Sequence, residues 1–216
     1  MNILSSIKSY FFPPKKSIFE IPLEIPERYN YLQGYSPNKP INFGRKTTWC
    51  AVKCDDSELV AQAIFNGQYK PCDWVEGMIR AYDVQGTFVL PPINGWVLIH
   101  GIEIPQPNNK DLFKLTEDFI NKLSLQFGEA QYFGSYRVSD FYCWAKSQNG
   151  QLTRLYMVGD AEEQLILGKP TPVEKNLDFG DDEVLLVAEN WSVNPSTIES
   201  LTGVATSGFY GSLRTQ

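Results

Sequence analysis

The chain has 216 residues, is 43% hydrophobic and 13% aromatic, and carries a formal net charge of −6. That length and composition suit one folded domain with an extension and exclude a disordered polymer. The charge is uneven: residues 1–50 hold seven Lys/Arg against three Glu, whereas residues 151–200 hold ten Asp/Glu against three Lys/Arg. The acidic half therefore argues for a basic protein partner and against nucleic acid.

Residues 1–45 are read as an irregular arm, because Pro13, Pro14, Pro22, Pro26, Pro37 and Pro40 interrupt every helical pattern. Within it the alternation Ile21/Leu23/Ile25 is compatible with an edge strand. The start, MNILSSIKSYFFPPKK, lacks the basic n-region of a secretory signal. No stretch reaches the roughly 18–20 apolar residues needed to span a bilayer. A cytoplasmic protein without a membrane span is expected.

Residues 46–216 are read as a single α+β domain. Thr47–Lys53 predicts a strand, and Asp55 with Glu58 predicts a capped helix carrying Leu59, Val60, Ala63 and Ile64 inward and ending at Gly67. Met78–Tyr82 and Thr87–Leu90 are the next candidate strands. Asn94-Gly95 is a hairpin signal, and GWVLIHGIEI after it is apolar enough to be buried on both faces. The helical spacing of Leu112, Leu115, Phe119, Ile120, Leu123 and Phe127 predicts a helix over Lys110–Phe127, capped by Asn108 or Asn109 and stopped by Gly128. Gln131–Arg137, two strands around Asn149-Gly150, and EEQLILG then form a meander. Asp181 and Asp182 open a helix with Val184, Val187, Ala188 and Trp191 on one face. From Thr47 the order is β-α-β-β-α-β, the ferredoxin-like order, extended by the meander and a C-terminal helix pair, with helices on one face of a mostly antiparallel sheet.

The second member of that pair lies in ENWSVNPSTIESL (189–201), where Asn194 reads as an N-cap, Pro195 as the first helical residue, and Ile198 and Leu201 as inward-facing. A helix-turn-helix reader of DNA is excluded here, since no Lys or Arg occurs between Lys175 and Arg214.

Catalytic chemistry has few carriers. His100 is the single histidine, and on its strand it shares a face with Trp96, Leu98 and Ile102, which favours a packed core role over general-base work. Cys50 and Cys54 lie about 13 Å apart if TTWCAVKC is one strand, too far for a disulfide or a shared metal, so Cys50, Cys54, Cys72 and Cys143 are read as free thiols. No metal, cofactor or catalytic residue is assigned. The acidic groups Asp160, Glu162, Glu163, Asp178, Asp181 and Asp182 are instead the candidate partner-binding residues. Trp and Tyr side chains on the strands are expected to accompany them at an anchor-and-rim interface.

Three stretches, FVLPPINGWVLIHG (88–101), FGEAQYFGSYRVSDFYCWAKSQNGQLTRLYMVGD (127–160) and ENWSVNPSTIES (189–200), resemble a family of uncharacterised bacterial proteins with FVxPP…GW, FGExQxF…RV and WSVDP-like blocks. The similarity spans about residues 47–201, with Asn194 where Asp is usual. By analogy of size and charge alone, such proteins are similar in style to immunity proteins. The expectation is a non-catalytic binding protein, of the immunity-type inhibitor kind, showing an acidic, aromatic-bearing surface to a basic partner. The alternative is an enzyme or small-ligand-binding protein with a site at the sheet edge near His100.

Overall fold

The computed structural model describes residues 34–65, 67–84, 86–107, 110–159, 164–175, 177 and 180–213. Its elements are β1 (Thr47–Lys53), α1 (Ser57–Phe65), β2 (Tyr69–Asp73), α2 (Trp74–Ile79), β3 (Thr87–Val89), β4 (Trp96–His100), α3 (Lys110–Phe127), β5 (Glu129–Tyr136), β6 (Phe141–Gln148), β7 (Gln151–Val158), β8 (Gln164–Leu167), α4 (Asp181–Trp191) and β9 (Ser207–Gly211). The nine strands form one sheet in the order β2-β9-β3-β4-β1-β5-β6-β7-β8, and every neighbouring pair is antiparallel.

Two tight turns set much of the register. Asn94-Gly95 and Asn149-Gly150 both adopt positive φ, 51° and 82° in the first and 49° and 83° in the second. These conformations match the twist of the strands they join, β6 to β7 in the second case. In the first, Ile93 and Trp96 exchange both backbone hydrogen bonds, at 2.8 and 3.0 Å, just ahead of β4.

The sheet is covered on both faces, which corrects the expectation of helices on one face. Cys50, Val52, Val97 and Ile99 meet Val60 and Ile64 of α1 and Ile120 and Leu123 of α3. Trp49, Ala51, Leu98, Phe133 and Trp144 meet Met78 of α2 and Val184, Ala188 and Trp191 of α4 on the other face. Burial on both sides explains why the central strands read as continuous apolar runs. Of the N-terminal arm only residues 34–45 are described; Ile41 and Phe43 are buried in the second of these cores. The Ile21/Leu23/Ile25 expectation lies outside the described residues.

Several elements differ from the sequence reading. The cap of α1 is Asp56, whose Oδ1 accepts from the backbone N–H of Glu58 and Leu59 at 2.8 and 3.2 Å, and not Asp55. Leu59 is 47% exposed. Met78–Tyr82 is helical: α2 runs into a π-helical turn over Arg80–Val84. The apolar run ends as a strand at His100, and Ile102 lies in a turn. The C-terminal helix pair is a single helix. After α4, Asn194 Oδ1 accepts from the Ser196 N–H at 2.9 Å and from its hydroxyl at 2.7 Å, a local turn, and only a 3-10 turn follows at Ile198–Ser200. β2 and β9 have no counterpart in the sequence reading, and β2 with α2 interrupts the simple β-α-β-β-α-β succession.

Helix α3 has the predicted bounds and in part the predicted inward face: Ile120 and Leu123 are buried, and Phe119 and Phe127 pack against the same core. Phe113, Thr116, Ile120, Leu123 and Ser124 are buried, whereas Leu112 and Leu115 are 40% and 58% exposed and Phe119 is half-buried. The shift arises because small polar residues go inward: Ser124 Oγ lies 2.7 Å from Ser147 Oγ and accepts from the Gly150 N–H at 2.9 Å. The helix is thereby pinned by polar contacts to the β6–β7 turn. Ile120→Ala is expected to cost about 2–5 kcal/mol as a buried truncation, and Leu115→Ala less than about 1 kcal/mol. Urea unfolding of both variants checks the assignment, and a larger loss for Leu115→Ala would restore the predicted face.

Candidate functional site

His100 ends β4 and stands opposite Trp49 of β1. It is buried, its ring 4.7 Å from that of Phe43 and 4.5 Å from that of Tyr82. Nδ1 lies 3.4 Å from the Thr48 carbonyl oxygen and 3.4 Å from Thr47 Oγ1. A carbonyl can only accept, so Nδ1 carries the proton and Nε2 holds the lone pair. Among the described residues Nε2 has no hydrogen-bond partner. Burial drives the imidazole pKa down, against a smaller upward pull from the Thr48 carbonyl, to about 4. At neutral pH the ring is uncharged and enclosed.

A cavity of about 220 Å³ lies directly beyond Thr47 and Tyr82, at the end of β1 and β4. Its polar lining is Lys46, Thr47, Thr48, Tyr82, Gln106 and Tyr136. Three elements bring these together: the first residues of β1, the π-helical turn that carries Tyr82, and the end of β5 that carries Tyr136. Burial pushes the Tyr136 phenol pKa up, against a smaller downward pull from the Gln106 side chain. His100 does not line the cavity; it backs the wall and touches it through Thr47 and Tyr82. The convergence of these residues was not legible in the sequence, because the cavity joins segments about 20 to 90 positions apart in chain order, a separation no local pattern encodes.

The acidic candidates divide. Asp160, Glu162, Glu163 and Asp178 lie outside the described residues. Asp181 Oδ1 accepts from Ser135 Oγ at 2.6 Å and its carboxylate lies 4.0 Å from Arg45, and Asp182 also pairs with Arg45. These two carboxylates tie the start of α4 to the end of β5 and the approach to β1, besides suiting the helix N-terminus. The aromatic half of the expected surface is corrected: Trp49, Trp74, Trp144, Trp191, Tyr132, Tyr142 and Tyr156 are all buried, and they build the two cores. Of the strand aromatics Trp96 and Tyr136 are only half-buried, while the helices on both faces cover most of the sheet.

Exposed apolar side chains occur on α1, α3, α4 and the connecting turns, and two of them adjoin at β8. Among the described residues this strand pairs with β7 alone and ends the sheet, with Ile166 60% and Leu167 43% exposed. Beside it runs a groove of about 670 Å³ lined by Phe113, Glu117, Leu152, Leu155, Leu165 and Leu167. The opposite edge, β2, carries Lys70 and Pro71, residues that discourage strand pairing. β8, of sequence QLIL, has no such guard, and in sequence it directly follows Asp160, Glu162 and Glu163.

All four cysteines are free thiols, and Cys50, Cys72 and Cys143 are buried. Burial pushes the thiols of these three up, away from the reactive thiolate. Among the described residues no group of three His, Cys, Asp or Glu side chains is arranged to hold a metal ion. No described helix is long and apolar enough to cross a membrane. No known protein family, curated protein or solved structure matched the chain.

Proposed function

We propose that the protein is a non-catalytic, cytoplasmic binding protein of bacterial type that engages a basic protein partner at its acidic end, in the manner of an immunity-type inhibitor. The observation that carries this reading is β8: a sheet edge that no described strand pairs on its outer side, with exposed Ile166 and Leu167, next in sequence to three carboxylates in a chain of net charge −6. An open edge offers backbone N–H and C=O groups to an extended segment, and neighbouring acids select a basic one. The buried neutral state of His100 and the raised thiol pKa values support a binding role, since both hold the obvious nucleophiles and bases in unreactive forms.

The resemblance to the bacterial family remains part of this proposal. So does the ferredoxin-like reading of the fold, which is supported by the adjacent strands β3-β4-β1-β5 with α1 and α3 against one common face. The specific acidic set is Asp160, Glu162, Glu163, Asp178, Asp181 and Asp182. Of these, Asp181 and Asp182 are already engaged with Arg45, so the weight falls on the first three.

The test is affinity capture from the native organism, identification of the partner, and stopped-flow association at low and physiological salt. A basic partner is expected. The variant carrying Asp160→Asn, Glu162→Gln and Glu163→Gln is expected to associate several-fold more slowly, with a flatter salt dependence, because rim charges act mainly on the on-rate. An acidic partner, an unchanged on-rate, or tight binding of duplex DNA at physiological salt contradicts the reading. The alternative, an enzyme or small-ligand-binding protein near His100, is favoured by one observation only, the polar cavity in front of that residue.

A further inference from the structure

From the cavity at the end of β1 and β4, we infer a binding site for a small organic monocarboxylate, a site independent of the partner-binding edge at β8. The size is the first constraint. About 220 Å³ lies below the roughly 300–1,000 Å³ of sites for drug-sized ligands, which suits an acid of a few carbons better than a nucleotide.

The chemistry of the lining is the second. Lys46 supplies one positive charge, Thr47, Thr48, Tyr82 and Tyr136 supply hydroxyls, Gln106 supplies an amide, and no described lining residue is a carboxylate. A set rich in donors with a single cation matches a single negative charge. A phosphate monoester carries nearly two charges and is held elsewhere by arginine forks or helix N-termini, neither of which is among the described lining.

The backbone at Lys46 is the third. Lys46 has φ 53°, and the other described non-glycine residues with positive φ are Asn94, Asp140 and Asn149, residue types that tolerate this region in turns. Lysine does not share that tolerance. The conformation is held by Phe43, whose N–H donates to the Pro195 carbonyl at 3.0 Å, on one side and by β1 on the other. It sets an exposed lysine at the cavity mouth. The π-helical turn that presents Tyr82 is a second local irregularity on the same wall, of a kind that recurs at functional sites.

The experiment uses the full chain labelled with 15N and titrated separately with acetate, lactate, propionamide and inorganic phosphate. Lactate or acetate is expected to shift the amide signals of Thr47, Thr48 and Tyr136 saturably. Propionamide, of similar shape and no charge, is expected to bind at least about tenfold more weakly, the scale of a charged hydrogen bond. Lys46→Gly provides the decisive variant. It relieves the positive φ, so thermal stability is retained or raised, while carboxylate affinity falls about tenfold or more. Tyr136→Phe is expected to weaken binding and leave the fold intact. No saturable shift with either acid, equal binding of the amide, preferential binding of phosphate, or full affinity in a folded Lys46→Gly variant overturns the assignment. None of these outcomes bears on the β8 edge, whose test is read from a different partner.

Discussion

Glu174→Ala is expected to cost about 3–5 kcal/mol of unfolding free energy, the range for breaking a buried ion pair from one side. Glu174 and Arg154 have side chains only 2% and 6% exposed. One carboxylate oxygen accepts from Arg154 Nε at 2.8 Å, from Arg154 Nη2 at 2.6 Å and from Trp144 Nε1 at 2.6 Å. The other accepts from the Thr171 N–H at 2.6 Å and the Thr171 hydroxyl at 2.7 Å, and that hydroxyl in turn accepts from Trp191 Nε1 at 3.1 Å. Arg154 Nη1 completes the cluster by donating to the Leu155 and Leu167 carbonyls at 2.8 and 3.0 Å. The cluster therefore fastens β8, the 168–174 connection and α4 to the middle of β7. Removing the carboxylate takes the counter-charge from a buried guanidinium and the Glu174 oxygen from the Trp144 indole N–H, which costs more than the pair itself contributes. Pairing Glu174→Leu with Arg154→Met is expected to recover much of the loss, and a double-mutant cycle in urea measures the coupling. A single-variant loss below about 1 kcal/mol would mean that the pair behaves as a surface contact.

This cluster marks where sequence reading ends. Arg154 and Glu174 are twenty positions apart, in a strand and a 3-10 turn, and no periodicity connects them. What was legible was local chemistry: the Asn-Gly turns, the α3 bounds with the Gly128 stop, and the Val184/Val187/Ala188/Trp191 face of α4. Each of these is decided by residues in contact along the chain. β9, with the sequence SGFYG, was illegible for the opposite reason. A Cβ at Gly208 would stand 2.2 Å from the Val89 carbonyl oxygen of β3, and one at Gly211 would stand 2.6 Å from the Phe65 ring of α1. Glycine spacing of this kind looks like a loop until the partners are known. β2 was hidden by Pro71, which is tolerated only because the strand lies at the edge. The face of α3 was legible at Ile120, Leu123, Phe119 and Phe127 but not in its first turns, where Leu112 and Leu115 are exposed and Phe113 and Thr116 go inward. The candidate sites divide likewise. His100 was identifiable as the only histidine, but the cavity in front of it depends on an αL lysine and a π-helical tyrosine that no propensity signals.

Wild-type stability is expected to fall by about 3 kcal/mol as pH drops from 6.5 to 4, through His100 alone. In the folded protein its pKa is about 4, because burial penalises the imidazolium, whereas in the unfolded chain it returns to the ordinary value of 6.5. Between those values the unfolded state binds a proton that the folded state refuses, so acid favours unfolding. The contribution is complete above pH 6.5, is lost at about 1.4 kcal/mol per pH unit on the way down, and levels off below 4. Carboxylates act in a lower window. Burial pushes Glu174 and Glu129 up, but hydrogen bonds from Arg154, Thr171 and Trp144 to the first, and from Gln148 and Gln131 with the nearby Lys146 charge to the second, outweigh it and hold both below the ordinary range. Their stabilisation is present above about 4.5 and disappears only as pH falls through their lowered values. Urea midpoints collected from pH 8 to 4 therefore separate the two causes. His100→Gln, which keeps a donor for the Thr48 carbonyl and does not titrate, is expected to flatten the slope above pH 4.5 whatever its effect on absolute stability. A wild-type profile already flat between pH 6.5 and 5 would place His100 in contact with water and reopen it as a base acting in the neighbouring cavity. The predicted slope instead keeps the imidazole neutral and enclosed, and leaves the cavity's donors, Lys46 foremost, to govern whatever binds there.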